Sequence, residues 1–194
     1  ISMMVTDPLD MQQSNIDVVI ASSQKGLALP PGLTMVILSP KAQQALKETH
    51  SLYFNFTDYL SNGERGQTPY TPAVTIMLQL EARLNQIKHR GGIAQSIADA
   101  KEVAVYFRES IQALPLKTFT PYMPNAMTAL SPTDGKSAID IVNELEAQYK
   151  VMVCPNGGAE RDTVFRVSHM GEVTKAYTDI LIDALHQYYG VARP

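Results

Sequence analysis

Residues 17–32 read Asp17-Val-Val-Ile-Ala-Ser-Ser-Gln-Lys25-Gly-Leu-Ala-Leu-Pro-Pro-Gly32. Val18 to Ala21 is a short apolar run with two β-branched valines and an isoleucine, the composition of a strand buried on both faces. It stops at the small polar residues Ser22, Ser23 and Gln24, and Lys25 follows directly, before Gly26 and a proline-rich turn. An amine delivered by the end of a buried strand sits on a rigid scaffold and is partly desolvated, which makes it a better nucleophile. That environment suits a lysine that forms a Schiff base. Spacing alone favours the plainer reading, a surface lysine in a loop.

Working outward, Thr34 to Leu38 is a second apolar run. The connection from Ser22 to Leu33 is about the minimum for a parallel crossover and carries no helical pattern, so the two strands are expected to run antiparallel. Ser39-Pro40 is a helix start, serine as N-cap and proline in the first helical position, for a short helix to about Lys47. Leu52 to Leu60 is rich in aromatics, and Ser61 to Gly66 reads as a flexible loop. Thr71-Pro72 repeats the helix-start spelling, with Met77, Leu80, Leu84 and Ile87 as an apolar face. Lys88, His89 and Arg90 then sit at the negative end of the helix dipole, before Gly91-Gly92.

A second unit is expected from there on. Ile93, Ile97, Ala100, Ala104, Phe107 and Ile111 line one face of a long amphipathic helix. A strand is expected over Ala126–Leu130, a turn over Ser131–Gly135 and a helix over Ser137–Tyr149, with Ile139, Val142, Leu145 and Tyr149 inward. Strands follow at Val151–Cys154 and Thr163–Ser168, separated by the Pro155–Gly158 turn. Val173, Tyr177, Ile180, Ala184 and Tyr188 mark a last helix closed by Gly190. This order makes a small α+β layer, so residues 1–90 and 91–194 are read as two domains.

The segment Ser-Gln-Lys-Gly-Leu, behind an aspartate-led hydrophobic strand and ahead of Leu-Pro-Pro-Gly-Leu, resembles the active-site segment of class V aminotransferases. The branch it most resembles contains alanine–glyoxylate, serine–glyoxylate and 2-aminoethylphosphonate–pyruvate aminotransferases. The cysteine-desulfurase branch usually carries histidine immediately before the lysine, where this chain has Gln24. The resemblance implies the aspartate aminotransferase fold: an α/β chain forming the C-terminal end of a mixed, mostly parallel large-domain sheet, followed by a small α+β domain. It implies pyridoxal phosphate as cofactor, bound to Lys25, with Ser23 and Gln24 helping to hold its phosphate. The family's aspartate for the pyridine nitrogen falls just upstream of Ile1, and Asp7 and Asp10 are poorly placed to replace it. The opening Ile1-Ser2-Met3-Met4-Val5 accordingly reads as the interior of a longer enzyme, with this chain its C-terminal half.

Three further residues have two readings each. Thr68 and Thr71, in Gln-Thr-Pro-Tyr-Thr-Pro, are a turn residue and an N-cap, or a phosphate site at a helix N-terminus. In the family the matching segment reaches the cofactor of the neighbouring subunit, which implies a homodimer with shared sites. Arg166, in Val-Phe-Arg-Val-Ser-His-Met-Gly, is an edge-strand arginine, or the clamp whose planar fork pairs with a substrate carboxylate. His169 is read as closing that turn, and Cys154 as a small core residue.

The bulk numbers fit this reading. The 194 residues carry 45% hydrophobic and 18% charged side chains and a net charge of −3. That balance offers no electrostatic case for nucleic acid or an anionic membrane, and no apolar run approaches a membrane span. One cysteine excludes an internal disulfide and fits a reducing compartment, the cytoplasm. His50, His89 and His186 are scattered, with no metal-ligand spacing. The expected activity is transfer of an amino group from alanine or serine to glyoxylate or pyruvate. The alternatives are 2-aminoethylphosphonate with pyruvate, or a non-catalytic fragment or dimerisation module.

Overall fold

The computed structural model describes residues 2–194; Ile1 lies outside the described residues. The lysine strand β1 (Val18–Ser22) pairs antiparallel with β2 (Thr34–Leu38), with Ser22 opposite Thr34. The short connection therefore joins them as a hairpin, as expected from its length and its lack of a helical pattern. Burial of β1 differs from expectation. Ala21 is fully buried, but Val18 and Ile20 are 48% and 45% exposed. Among the described residues β1 and β2 form a two-stranded sheet, and the face that carries Val18 and Ile20 is left exposed, whereas Ala21 and Met35 lie on the covered side.

Ser39 caps α1 (Pro40–Gln44) by accepting from the Ala42 N–H. It also donates to Asp17 Oδ1 at 2.6 Å, tying the entry of β1 to the exit of β2. The helix stops at Ala45, short of Lys47. Asn55 caps α2 (Phe56–Gly63), so the stretch expected to be loop from Ser61 is helical at its start. The helix expected to start at Thr71 is α3 (Val74–His89), whose N-cap is Ala73 without a side-chain bond. The Val74 N–H closes a tight turn onto the Pro72 carbonyl at 2.8 Å, which keeps the chain out of the helix just past the proline. Of its expected apolar face only Ile87 is buried, packing with Val5 and Leu27; Met77 and Leu84 stay exposed.

Past Gly91, whose φ of 105° needs glycine, runs α4 (Gly92–Ser110). Then come β3 (Leu116–Thr118), β4 (Met127–Pro132), α5 (Ala138–Tyr149), β5 (Cys154–Pro155), β6 (Phe165–Ser168) and α6 (Lys175–Tyr189). The four strands form one antiparallel sheet in the order β3-β4-β6-β5. β3 has no counterpart in the sequence pattern, and β4 runs on into the expected turn, as far as Pro132. Phe107, Leu130, Ile141, Leu145, Phe165, Ile182 and Leu185 join the three helices to the sheet in a single core. Ile93, at the start of α4, lies beyond it and is half exposed.

Cys154 is a correction. Its strand is only two residues long and lies at the sheet edge, where Pro155 costs no ladder bond, and Cys154 is exposed, not a core residue. Along β6 the alternation holds: Phe165 and Val167 are buried against the helices, while Arg166 and Ser168 face the other way.

Candidate active site

The loop that carries Lys25 is fastened from inside by Ser23, whose exposure is 0%. Its hydroxyl donates to the Pro30 carbonyl at 2.7 Å and accepts from the Leu33 N–H at 3.3 Å. Its N–H donates to the Leu33 carbonyl, and its own carbonyl accepts from the Leu29 N–H, both at 3.0 Å. Ser23 thus has no donor left for a phosphate: its hydrogens close the loop. Gly26 is required by close approach, because a Cβ there would collide with the Met4 carbonyl oxygen. Leu27 beside it is buried with Val5 and Ile87. Lys25 is therefore held between two buried anchors, with its own side chain half-buried and Gln24 exposed.

Arg166 projects from β6 beside the edge strand. Its Nη2 donates to Cys154 Sγ and to the Pro155 carbonyl, both at 3.0 Å. Its Nε–H is buried and has no partner among the described residues. A buried donor without an acceptor is uncommon and calls for an explanation; a carboxylate ligand would supply one.

The turn after β6 brings the two regions together. Gly171 (φ 85°) packs so closely on the lysine loop that a Cβ would sit 3.2 Å from the Cβ of Ala28, itself in a left-handed conformation. Glu172 pairs with Arg83 and, at 2.9 Å, with Arg90, tying the turn to α3. His169 lines both a cavity of about 500 Å³ that reaches Gly26 and one of about 440 Å³ that reaches Arg166.

His169 is 2% exposed. Its Nε2 meets Thr128 Oγ1 at 2.8 Å, and that oxygen accepts from Arg108 Nε at 2.9 Å. Burial, with the Arg108 charge beside it, holds the imidazole down at about 4, so it is neutral at physiological pH. Arg108 is also partly desolvated, which lowers it, while Asp7 opposes the shift. Asp7 accepts from the Asn125 and Ala126 amides at 2.7 and 3.1 Å.

The acidic residues ahead of the lysine are all engaged elsewhere: Asp7 as above, Asp10 with the Gln12 and Gln13 amides, and Asp17 with Ser39 and Lys41. Thr68 and Thr71 are not brought to the lysine loop. Thr68 donates to the Tyr70 carbonyl at 2.6 Å, and Thr71 is exposed ahead of α3.

Sequence reasoning singles out Lys25 and Arg166 but reads His169 as a mere turn residue, weighs Asp7 only as a partner for the pyridine nitrogen, and passes over Arg108, Thr128 and Glu172. A histidine between a strand and Met-Gly carries no signal that its ring is buried. The partners that bury it come from α4 and β4, far away in sequence. Among the described residues no cluster of His, Cys, Asp and Glu could hold a metal, and no helix is long and apolar enough to cross a membrane.

The residues present suit pyridoxal phosphate: a half-buried primary amine on an immobilised turn, and an arginine with an orphaned buried N–H on the neighbouring β6. Comparison with known proteins agrees. A serine–glyoxylate aminotransferase of Arabidopsis thaliana is 31% identical over 171 residues, 85% of this chain and 42% of the relative. An aspartate aminotransferase of subgroup IV from Thermus thermophilus superposes with a TM-score of 0.86 at 23% identity, covering 96% of this chain and 54% of that one. An alanine–glyoxylate aminotransferase from Nostoc gives 0.86 at 22%, covering 96% and 51%. The fold is that of these aminotransferases. The chain spans about half the length of the curated relatives it matches. The model of the family Aminotransferase class-V matches residues 1–170, and the chain belongs to that family.

Proposed function

We propose that the protein carrying this chain is a pyridoxal-phosphate-dependent aminotransferase that moves an amino group from alanine or serine to glyoxylate or pyruvate. The observation that carries the reading is Lys25, presented at the end of β1 on a loop closed by Ser23 and Gly26. The serine– and alanine–glyoxylate activities named for two similar proteins support the substrate class.

When bound, the cofactor supplies the electron sink for the electrons left at the substrate α-carbon. The work of the chain is positional and protonic. The Lys25 amine would hold the cofactor covalently, and its Nζ, once free, would be the base and acid that moves the substrate α-proton. Arg166 binds the carboxylate shared by donor and acceptor, and the Nε–H that now lacks a partner is the donor available for it. Gln24, exposed beside the lysine, and the Thr68–Thr71 segment hold the cofactor phosphate, the latter across a homodimer boundary. Ser23 keeps the loop in shape. In this reading residues 1–90 belong to the cofactor-binding domain and 91–194 form the small domain.

The test is steady-state transamination by the complete holoenzyme with alanine or serine as donor and glyoxylate or pyruvate as acceptor. Activity should be present in the parent and lost in Lys25→Ala. Activity retained in Lys25→Ala would refute the proposal.

A further inference from the structure

His169 is a buried polar group that the reading above leaves without a task. Its hydrogen bonding can be resolved by counting donors. Thr128 Oγ1 accepts from Arg108 Nε, so its own hydrogen needs an acceptor, and the contact available in this buried place is His169 Nε2. If Nε2 carried the proton instead, the Thr128 hydrogen would have no partner and Nδ1 would be a buried acceptor with none. The first arrangement leaves one group unpaired, the second two. Each buried polar group left unpaired forfeits its hydration without compensation, so the relay runs Arg108 to Thr128 to His169 and the imidazole carries its proton on Nδ1.

The same residue is fixed at its backbone, where its N–H donates to the Ala126 carbonyl at 2.9 Å, next to the amides that Asp7 binds. Its ring lies against Phe107, with centroids 5.3 Å apart. Two residues later Gly171 touches Ala28 of the lysine loop, and three residues earlier stands Arg166. The turn that links the lysine loop to Arg166 is thus held at its start by the buried imidazole and at its end by the Glu172 ion pairs.

We propose that His169 is a positioning residue for transamination, which through the Arg108–Thr128 relay fixes the Ser168–Glu172 turn and so the placement of the carboxylate-binding Arg166 relative to Lys25. This rests on the roles proposed above for those two residues.

The experiment uses the complete holoenzyme with alanine and glyoxylate, and borohydride labelling of Lys25 as an independent readout. His169→Phe keeps the packing on Phe107 but cannot accept from Thr128. It should raise KM for both substrates about tenfold, the scale of one net hydrogen bond, with a smaller change in kcat and full labelling of Lys25. His169→Gln, which offers an accepting oxygen and a donating N–H, should restore KM to within about threefold of the parent. Thr128→Val should raise KM at least as far as His169→Phe, since it also takes the acceptor from Arg108 Nε, and the double variant should add nothing to Thr128→Val, because the Thr128–His169 bond is already lost there. If Lys25 is labelled and both single variants leave KM within twofold, the inference is overturned while the roles of Lys25 and Arg166 stand. If His169→Phe does not fold, Thr128→Val decides by the same criterion. If the parent enzyme is not labelled on Lys25, the functional reading fails and the inference falls with it.

Discussion

Replacing Arg166 by lysine keeps the positive charge and removes the planar fork. In the structure the guanidinium does two things at once. Nη2 is anchored on Cys154 Sγ and the Pro155 carbonyl, while the buried Nε–H is left over for a ligand. An ammonium is a single point that must choose between the anchors on β5 and a carboxylate. Truncating one member of a buried charged pair costs about 2–5 kcal/mol. Because lysine retains the charge, the loss belongs near the low end, about 2 kcal/mol, or about 30-fold in kcat/KM. It should appear for the amino donor and the oxo-acid acceptor alike, since both carry a carboxylate, and it should leave the visible absorption of the bound cofactor nearly unchanged. An amine substrate lacking a carboxylate should be indifferent. The assay is steady-state kinetics of each half-reaction in the complete enzyme. If Arg166→Lys leaves kcat/KM for both within twofold, Arg166 serves only to hold the edge strand.

Other substitutions read other parts of the site. Gly26→Ala forces a methyl group into the Met4 carbonyl and, as an overpacking change, should destabilise by about 1–3 kcal/mol; a urea melt checks this, and a change under about 0.5 kcal/mol, the scale of an ordinary surface substitution, would show that the close approach relaxes freely. Thr71→Ala should weaken cofactor affinity by about 1.5–3 kcal/mol, the worth of a hydrogen bond to a charged group, and a dilution series should lose activity as the dimer dissociates; a monomer of full activity would contradict the shared site. His169 gives a pH signature. Its folded value is about 4 against 6.5 for the free side chain, so between these limits the unfolded chain binds more protons, and stability falls as pH drops from 6.5 toward 4, then levels for this group. By about 1.36 kcal/mol per unit the effect amounts to a few kcal/mol at most, and His169→Gln should flatten that stretch of the stability–pH curve; an unchanged slope would show that the imidazole is not held neutral.

The parts of the fold that local chemistry decides are legible in the chain. Ser39-Pro40 caps a helix because the serine hydroxyl can reach the Ala42 amide and proline needs no donor there. β1 and β2 are expected to be antiparallel because the segment between them is about the minimum for a crossover and has no helical pattern, and they pair that way. The alternation along Phe165–Ser168 is enough to put Arg166 on the face opposite the core. What local pattern misses depends on distant neighbours. Thr71 has the spelling of an N-cap, yet the tight turn at Pro72 delays the helix to Val74. Val18 and Ile20 are apolar, but a two-stranded sheet does not cover them. Cys154 has a core composition around it and is exposed because β5 pairs only with β6, at the edge of the sheet. The burial of His169 is set by Arg108 on α4 and Thr128 on β4, a relationship between distant parts of the chain that no local pattern encodes.

The central claim is that Lys25 is the amine that holds the cofactor, and borohydride reduction of the complete holoenzyme followed by peptide mapping tests it directly. Reduction should fix the cofactor on the peptide containing Ser23-Gln24-Lys25-Gly26, with the added mass on Lys25, and Lys25→Ala should take up no covalent label. A label on any other lysine, or undiminished labelling of Lys25→Ala, would contradict the account.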